Sequence, residues 1–241
     1  MKSILALLVF VLVPAAYAGP PYVTDDPEPV DLHHFELNLA VQYAGDHGAN
    51  SGAVPRFELN YGPLENLQIG IATPLAFDAP DHGESSFGIG DIEFSAKYRF
   101  IQETPSCPMV AFFPSIALPT GDDERGLGAG KMQLFLPLWL QKSWDDDKWT
   151  TFGGGGWFYN PGGDNFWRLG WQVQRQVTDQ LAIGGEIFFE TADAQDADDR
   201  LAFNLAAIYD MSDNFHILLS GGRDIEGTTE FFTYLGIQLT W

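Results

Sequence analysis

Apolar and polar residues alternate along most of this chain, and the last stretch shows it most plainly. From Thr233 the odd positions run Thr, Leu, Ile, Leu, Trp, and the even ones run Tyr, Gly, Gln, Thr. A period of two puts one set on each face of a β-strand. A bare apolar strand at a terminus frays unless it is tied down. This one is suited to closing a sheet against the first strand, with its apolar face in lipid. Trp241 then stands at a membrane interface as an assembly signal, read by the barrel-assembly machinery.

Eleven more alternating segments precede it, at about 34–43, 54–62, 67–77, 88–100, 109–118, 131–143, 149–159, 166–176, 181–190, 200–210 and 215–222. Their outward faces carry residues such as Leu37, Leu59, Ile69, Phe94, Leu138, Trp171, Ile187, Leu205 and Leu219. The pattern predicts an all-β chain: a transmembrane antiparallel up-and-down barrel of about 12 strands, of the bacterial outer-membrane type. The count is good to about two. Connections after even-numbered segments are mostly short, as at Pro63–Asn66 and Met211–Asn214. Those after odd ones are mostly longer, as at Ala44–Ala53 and Pro119–Gly130. Short periplasmic turns and long outer loops are the expected asymmetry. The competing reading is a secreted soluble β-sandwich, which gives no reason for so many Leu and aromatic positions on every strand.

Two places resist the pattern. The seventh segment holds Gly153-Gly154-Gly155-Gly156, for which a bend or bulge is the expectation. Pro114 and Pro137 fall mid-strand, where a regular ladder has no place for them.

The start of the chain sets its compartment. Lys2, an apolar run from Ile4 to Val13 and Ala16-Tyr17-Ala18 read as a cleaved signal peptide over residues 1–18. Residues 19–32, rich in Pro and acid, are expected as a periplasmic N-terminal segment, and 33–241 as one barrel domain. Whether that segment plugs the lumen is open at this stage. No later apolar run reaches the roughly 20 residues of a membrane-spanning helix. The formal charge of −21 makes nucleic acid a poor partner. The single Cys107 cannot form an internal disulfide.

Charge on the inward faces is the candidate chemistry. Glu36, Arg56, Glu58, Asp91, Glu93, Lys97, Arg99, Arg168, Glu186 and Glu190 share the inward parity and are the expected lumen lining. Such charges either fill a narrow lumen as paired ions or set the selectivity of a pore. Acids crowd the outer loops, among them Asp122, Asp123, Glu124, Asp193, Asp196, Asp198, Asp199, Asp224 and Glu226, which favours cations or neutral solutes over anions. Asp122-Asp123-Glu124 and Asp196–Asp199 lack the regular ligand spacing of a calcium loop and read as solvated charge, so no metal is expected. His216 and Ser220 share a face two pleats apart with no orienting acid indicated. No catalytic residues and no cofactor are expected.

Three stretches resemble a known family: Gly19-Pro20-Pro21-Tyr22-Val23-Thr24-Asp25-Asp26-Pro27-Glu28-Pro29-Val30 before the first strand, Gly88-Ile89-Gly90-Asp91 leading to Lys97-Tyr98-Arg99-Phe100, and Leu118-Pro119-Thr120-Gly121. The family is that of outer-membrane barrels named for the meta pathway of phenol degradation and labelled transporters. The resemblance implies an outer-membrane location and passage of small aromatic or other hydrophobic compounds. The expectation is thus a passive outer-membrane channel whose partners are lipid, a small-molecule solute and the assembly machinery. The alternative is a closed structural or adhesive barrel with acidic loops.

Overall fold

The computed structural model describes residues 20–46, 48–194 and 197–241. The leader with its cleavage motif lies outside these residues, as does Asp196. Fourteen strands form one antiparallel sheet: β1 (Phe35–Asp46), β2 (Ala49–Leu64), β3 (Leu67–Ala79), β4 (Ser86–Ile89), β5 (Ile92–Ile101), β6 (Met109–Phe112), β7 (Ser115–Leu118), β8 (Gln133–Trp144), β9 (Trp149–Tyr159), β10 (Phe166–Thr178), β11 (Leu181–Glu190), β12 (Arg200–Ser212), β13 (Phe215–Glu226) and β14 (Phe231–Thr240). β1 pairs with β14 from Glu36↔Thr240 to Gly45↔Phe231, and the sheet closes on itself.

Two of the staves are each made of two strands. β4 and β5 both pair with β3, and β6 and β7 both lie between β5 and β8. The result is a closed barrel of twelve staves, as the periodicity predicts. The interruptions are local. Pro114 has no N–H to give a ladder, yet its carbonyl accepts from Ala96 N at 3.0 Å, and Pro137 O accepts from Phe113 N at 3.2 Å. Pro137 itself stays in register opposite Gly156, its ring turned inward. The two mid-strand prolines thus sit where a stave breaks and where its neighbour faces that break.

Leu59, Ile69, Phe94, Leu138, Trp171, Leu205 and Leu235 stand exposed on the outside, while Asn38, Ala111, Trp139, Phe152, Gln172, Phe188, Ala202 and Leu218 are buried within. The wall is thus apolar outside and mixed inside, the inverse of a soluble domain and the arrangement a lipid solvent requires. At the end where the chain termini of the barrel meet, Phe35 stacks between Tyr61 at 4.5 Å and Trp241 at 5.5 Å, an aromatic patch of the kind found at membrane interfaces.

Two expectations change. The ladders on both sides of β9 run through Gly153–Gly156 without a register shift, so the glycines make no bulge. They are needed for close approach instead. A Cβ on Gly154 (φ 137°) would lie 2.1 Å from Leu138 O, and one on Gly155 (φ 150°) 2.0 Å from Arg168 O. The outer loop expected over Ala44–Ala53 is mostly strand, because β1 continues to Asp46 and β2 begins at Ala49. That hairpin is built from small and polar residues, so it carries no apolar alternation to announce it.

Candidate functional site: the lumen and the segment inside it

Residues 20–32 lie inside the barrel. They hang from the rim where the two ends of the barrel meet: Leu32 pairs with Gly62, and His33 N donates to Gly62 O at 2.7 Å. A Cβ at Gly62 would lie 2.1 Å from Asp31 O, so glycine is what lets the chain turn inward here. From this point the segment climbs. Val30 N donates to Gln68 Oε1 at 2.9 Å. Lys97 Nζ donates to Asp25 Oδ1 at 3.1 Å, Asp26 Oδ1 at 3.3 Å and Glu28 O at 3.3 Å, and lies 4.5 Å from the Phe113 ring centre. Arg99 pairs with Glu28 at 3.6 Å. Higher up, Glu186 accepts from Val23 N and Thr24 N, both at 2.8 Å. At the top, Pro21 O accepts from Ser220 Oγ at 2.7 Å and Asn204 Nδ2 at 3.4 Å.

The wall is shaped to receive the segment. A Cβ at Gly170 would lie 2.1 Å from Thr24 Oγ1, and one at Gly184 2.3 Å from the Tyr22 hydroxyl. Burial also sets the segment's charge. It pushes the Asp26 carboxyl well above the ordinary range, against the pull of Lys97, and it raises Glu28 against the pull of Arg99. Burial likewise raises the Tyr22 hydroxyl, and the Glu186 carboxylate adds to that rise.

The ten residues expected in the lumen divide into groups with separate tasks. Arg56 sits between Glu58 at 3.5 Å and Glu93 at 3.7 Å. Glu36 accepts from Asn38 Nδ2 at 3.0 Å and Asn60 Nδ2 at 3.2 Å. Lys97, Arg99 and Glu186 hold the segment. Arg168 pairs with Glu190, whose other oxygen takes Arg200 at 3.1 Å, and Arg200 in turn reaches Asp224 at 2.9 Å. Asp91 does different work: its two oxygens accept from Gly121 N at 2.9 Å and Ala129 N at 2.7 Å, tying down the outer loop after β7. Thr120 Oγ1 bonds Gly90 O at 2.9 Å in the same clasp. The Gly-Ile-Gly-Asp and Leu-Pro-Thr-Gly stretches are the two halves of that clasp.

Sequence reasoning missed Arg200, which shares the inward parity of Ala202 and Asn204 and was legible on that ground. It placed Asp224 in an outer loop, whereas Asp224 lies within β13, 7% exposed, as the partner of Arg200. It saw no acid for His216, whereas Asp210 Oδ1 lies 2.7 Å from His216 Nδ1. Ser220 is not brought to that pair, since its hydroxyl is committed to Pro21 O.

Free volume in the lumen is divided among chambers that have wall residues in common. An outer vestibule of about 1060 Å³ is lined by Phe166, Arg168, Glu190, Asp198, Arg200 and Glu226, among others. Below it an upper chamber of about 310 Å³ shares Arg168, Glu190 and Arg200 with the vestibule. A middle chamber, also about 310 Å³, shares Tyr22, Gln42 and Tyr234 with the upper one. An inner chamber of about 280 Å³ shares Pro20, Asp25, Glu58 and Phe113 with the middle one and reaches Trp241 at the rim.

A family model described as "Putative MetA-pathway of phenol degradation" matches residues 35–241. A search of curated proteins found no match. Among solved structures the chain is similar to an outer membrane channel from Pseudomonas putida F1, with TM-score 0.70 and 16% identity over 90% of this chain and 98% of that one. It is also similar to the KdgM porin, with TM-score 0.60 and 10% identity over 84% and 98%. The NanC porin follows, with TM-score 0.57 and 9% identity over 84% and 98%. At such identities the likeness is one of fold.

Proposed function

This chain belongs to the family described by the MetA-pathway of phenol degradation, and on that premise we propose that it is an outer-membrane channel for the passive passage of small solutes, hydrophobic or aromatic ones among them. The supporting observation is the row of chambers, each sharing wall residues with the next from the outer vestibule to the periplasmic rim. Residues 20–32 form the constriction. They narrow a lumen that would otherwise lie between the filled interior of an eight-stranded barrel and the open pore of a sixteen-stranded one. Transport needs no cofactor and no covalent step, and the lumen His216–Asp210 pair is read as part of the polar filling rather than as a catalytic pair. The protein reaches the outer membrane through the periplasm after its leader is cut.

Liposome swelling and single-channel recording on the whole protein, and on a variant lacking residues 20–32, test this. The channel reading expects small steps from the whole protein and larger ones from the deletion. The second reading is a closed structural or adhesive barrel, favoured by how many buried hydrogen bonds the segment makes. A whole protein that conducts nothing, beside a deletion variant that does, would support that reading.

A further inference from the structure

What the lumen walls leave unsatisfied points to a solute class, and the inference rests on the channel reading above. We propose that the passage selects organic ammonium ions: a protonated amine on a small apolar or aromatic body.

Charge gives the first reason. The inward cations Arg56, Lys97, Arg99, Arg168 and Arg200 each hold a carboxylate, so none is left to attract an anion. Acids remain in surplus at both ends. Asp193, Asp198 and Glu226 in the vestibule have no basic side chain within ion-pair distance among the described residues, nor do Asp31 and Asp213 in the inner chamber.

The orientation of buried amides gives a second, independent reason. A carboxylate can only accept hydrogen bonds, so it dictates which end of a neighbouring amide faces it. Asn38 and Asn60 turn Nδ2 to Glu36, and Asn204 turns Nδ2 to Glu186. Each is 1–3% exposed, and each Oδ1 is left without a hydrogen-bond partner among the described residues. Asn60 lines the inner chamber and Asn204 the upper one. Among the described buried side-chain atoms without a partner, amide oxygens outnumber donors such as Trp139 Nε1, and an ammonium group, which carries donors only, suits that excess of acceptors.

Ring faces give the third. The guanidinium of Arg168 lies 4.8 Å from the Phe158 ring centre, and that of Arg200 lies 5.0 Å from Phe188. These faces already receive cations, as Phe232 does from Arg200 at 5.6 Å, and half-buried Phe166 brings a further ring to the vestibule. An anionic aromatic would have to displace Glu190 from its two arginines and cross the acidic mouth first.

The test uses the whole protein in a planar bilayer of neutral phosphatidylcholine. Reversal potentials are measured under gradients of benzylammonium, phenyltrimethylammonium and benzenesulfonate. The expected order of permeability is benzylammonium, then phenyltrimethylammonium, then benzenesulfonate. A lumen potential of one kT/e already separates a monovalent cation from an anion by about sevenfold. Benzenesulfonate permeating as well as the cations overturns the proposal. Equal permeability of the two cations overturns recognition through N–H donors. The variant Asp193→Asn/Asp198→Asn/Glu226→Gln removes exposed acids whose side chains hold no other part of the described fold. It is expected to lower the cation preference, and an unchanged ratio counts against the vestibule's share. Absence of any conductance, in the whole protein and in the variant lacking residues 20–32, would instead sink the channel reading itself.

Discussion

Replacing Lys97 by Met should release the inner segment. Lys97 Nζ holds Asp25 and Asp26 at 3.1 and 3.3 Å, with side-chain exposures of 4% for Lys97, 26% for Asp25 and 4% for Asp26. Met keeps the length and apolar stem but leaves Asp26 buried without its cation. Removing one partner of a buried pair costs about 3–5 kcal/mol, because the other charge stays desolvated. Each factor of ten in an equilibrium is about 1.4 kcal/mol. The undocked fraction should therefore rise by roughly two to four powers of ten, less whatever Asp26 recovers by taking up a proton. The anchors at Glu186, Gln68 and Ser220 remain, so the barrel should fold normally and only docking should weaken. Single-channel recording reads this as steps approaching those of the variant lacking residues 20–32. Limited proteolysis should cut within the segment at a matching rate. Adding Asp25→Asn and Asp26→Asn to Lys97→Met removes the stranded charges and should restore docking. Wild-type steps and protection in Lys97→Met, or a failure of the triple variant to recover either, would refute the reasoning.

Three further outcomes follow from the same geometry. Gly170→Ala places a methyl 2.1 Å from Thr24 Oγ1, far inside contact distance, so it should raise conductance in the whole protein and have no effect once residues 20–32 are deleted. Deleting Trp241 removes two backbone hydrogen bonds to Phe35, at 2.8 and 3.1 Å, and the ring that stacks on it. The heat-modifiable, membrane-inserted yield should fall while the conductance of inserted molecules stays unchanged. Burial raises the Asp26 and Glu28 carboxyls in the docked segment above their free values, so docking takes up protons. That contribution is complete below the free carboxylate range and is lost as pH rises through the docked values, so open probability recorded across a pH series should increase towards alkaline pH; the opposite slope would contradict it.

The outside of the barrel was readable from sequence because lipid imposes one rule on every strand. Leu37, Ile69, Phe94, Leu169 and Leu235 obey it at a period of two, and parity then assigns the opposite face without further information. The inside follows no such rule. Parity tells that Glu186 and Lys97 point inward, but nothing in it says that one binds the backbone of Val23 and Thr24 while the other holds Asp25 and Asp26. Those partners lie 163 and 72 residues apart in the chain. Pro114 and Pro137 look like faults in one strand until Phe113 N is seen to bond Pro137 O across the break. The clasp at Asp91 shows a related limit, since an acid on the inward parity near the mouth can be spent on a loop rather than on the lumen.

Attachment of the inner segment at Leu32–Gly62 has a kinetic consequence. A stretch of roughly 13 residues spans at most about 45 Å when fully extended. If it leaves the lumen it becomes a tether fixed at the mouth it has just vacated. Its return is intramolecular, at an effective concentration in the millimolar range for a short flexible link. A free peptide of the same sequence would compete poorly against it. Each molecule would therefore close itself at a rate independent of protein concentration, and its closing would not be passed to neighbouring barrels in the membrane.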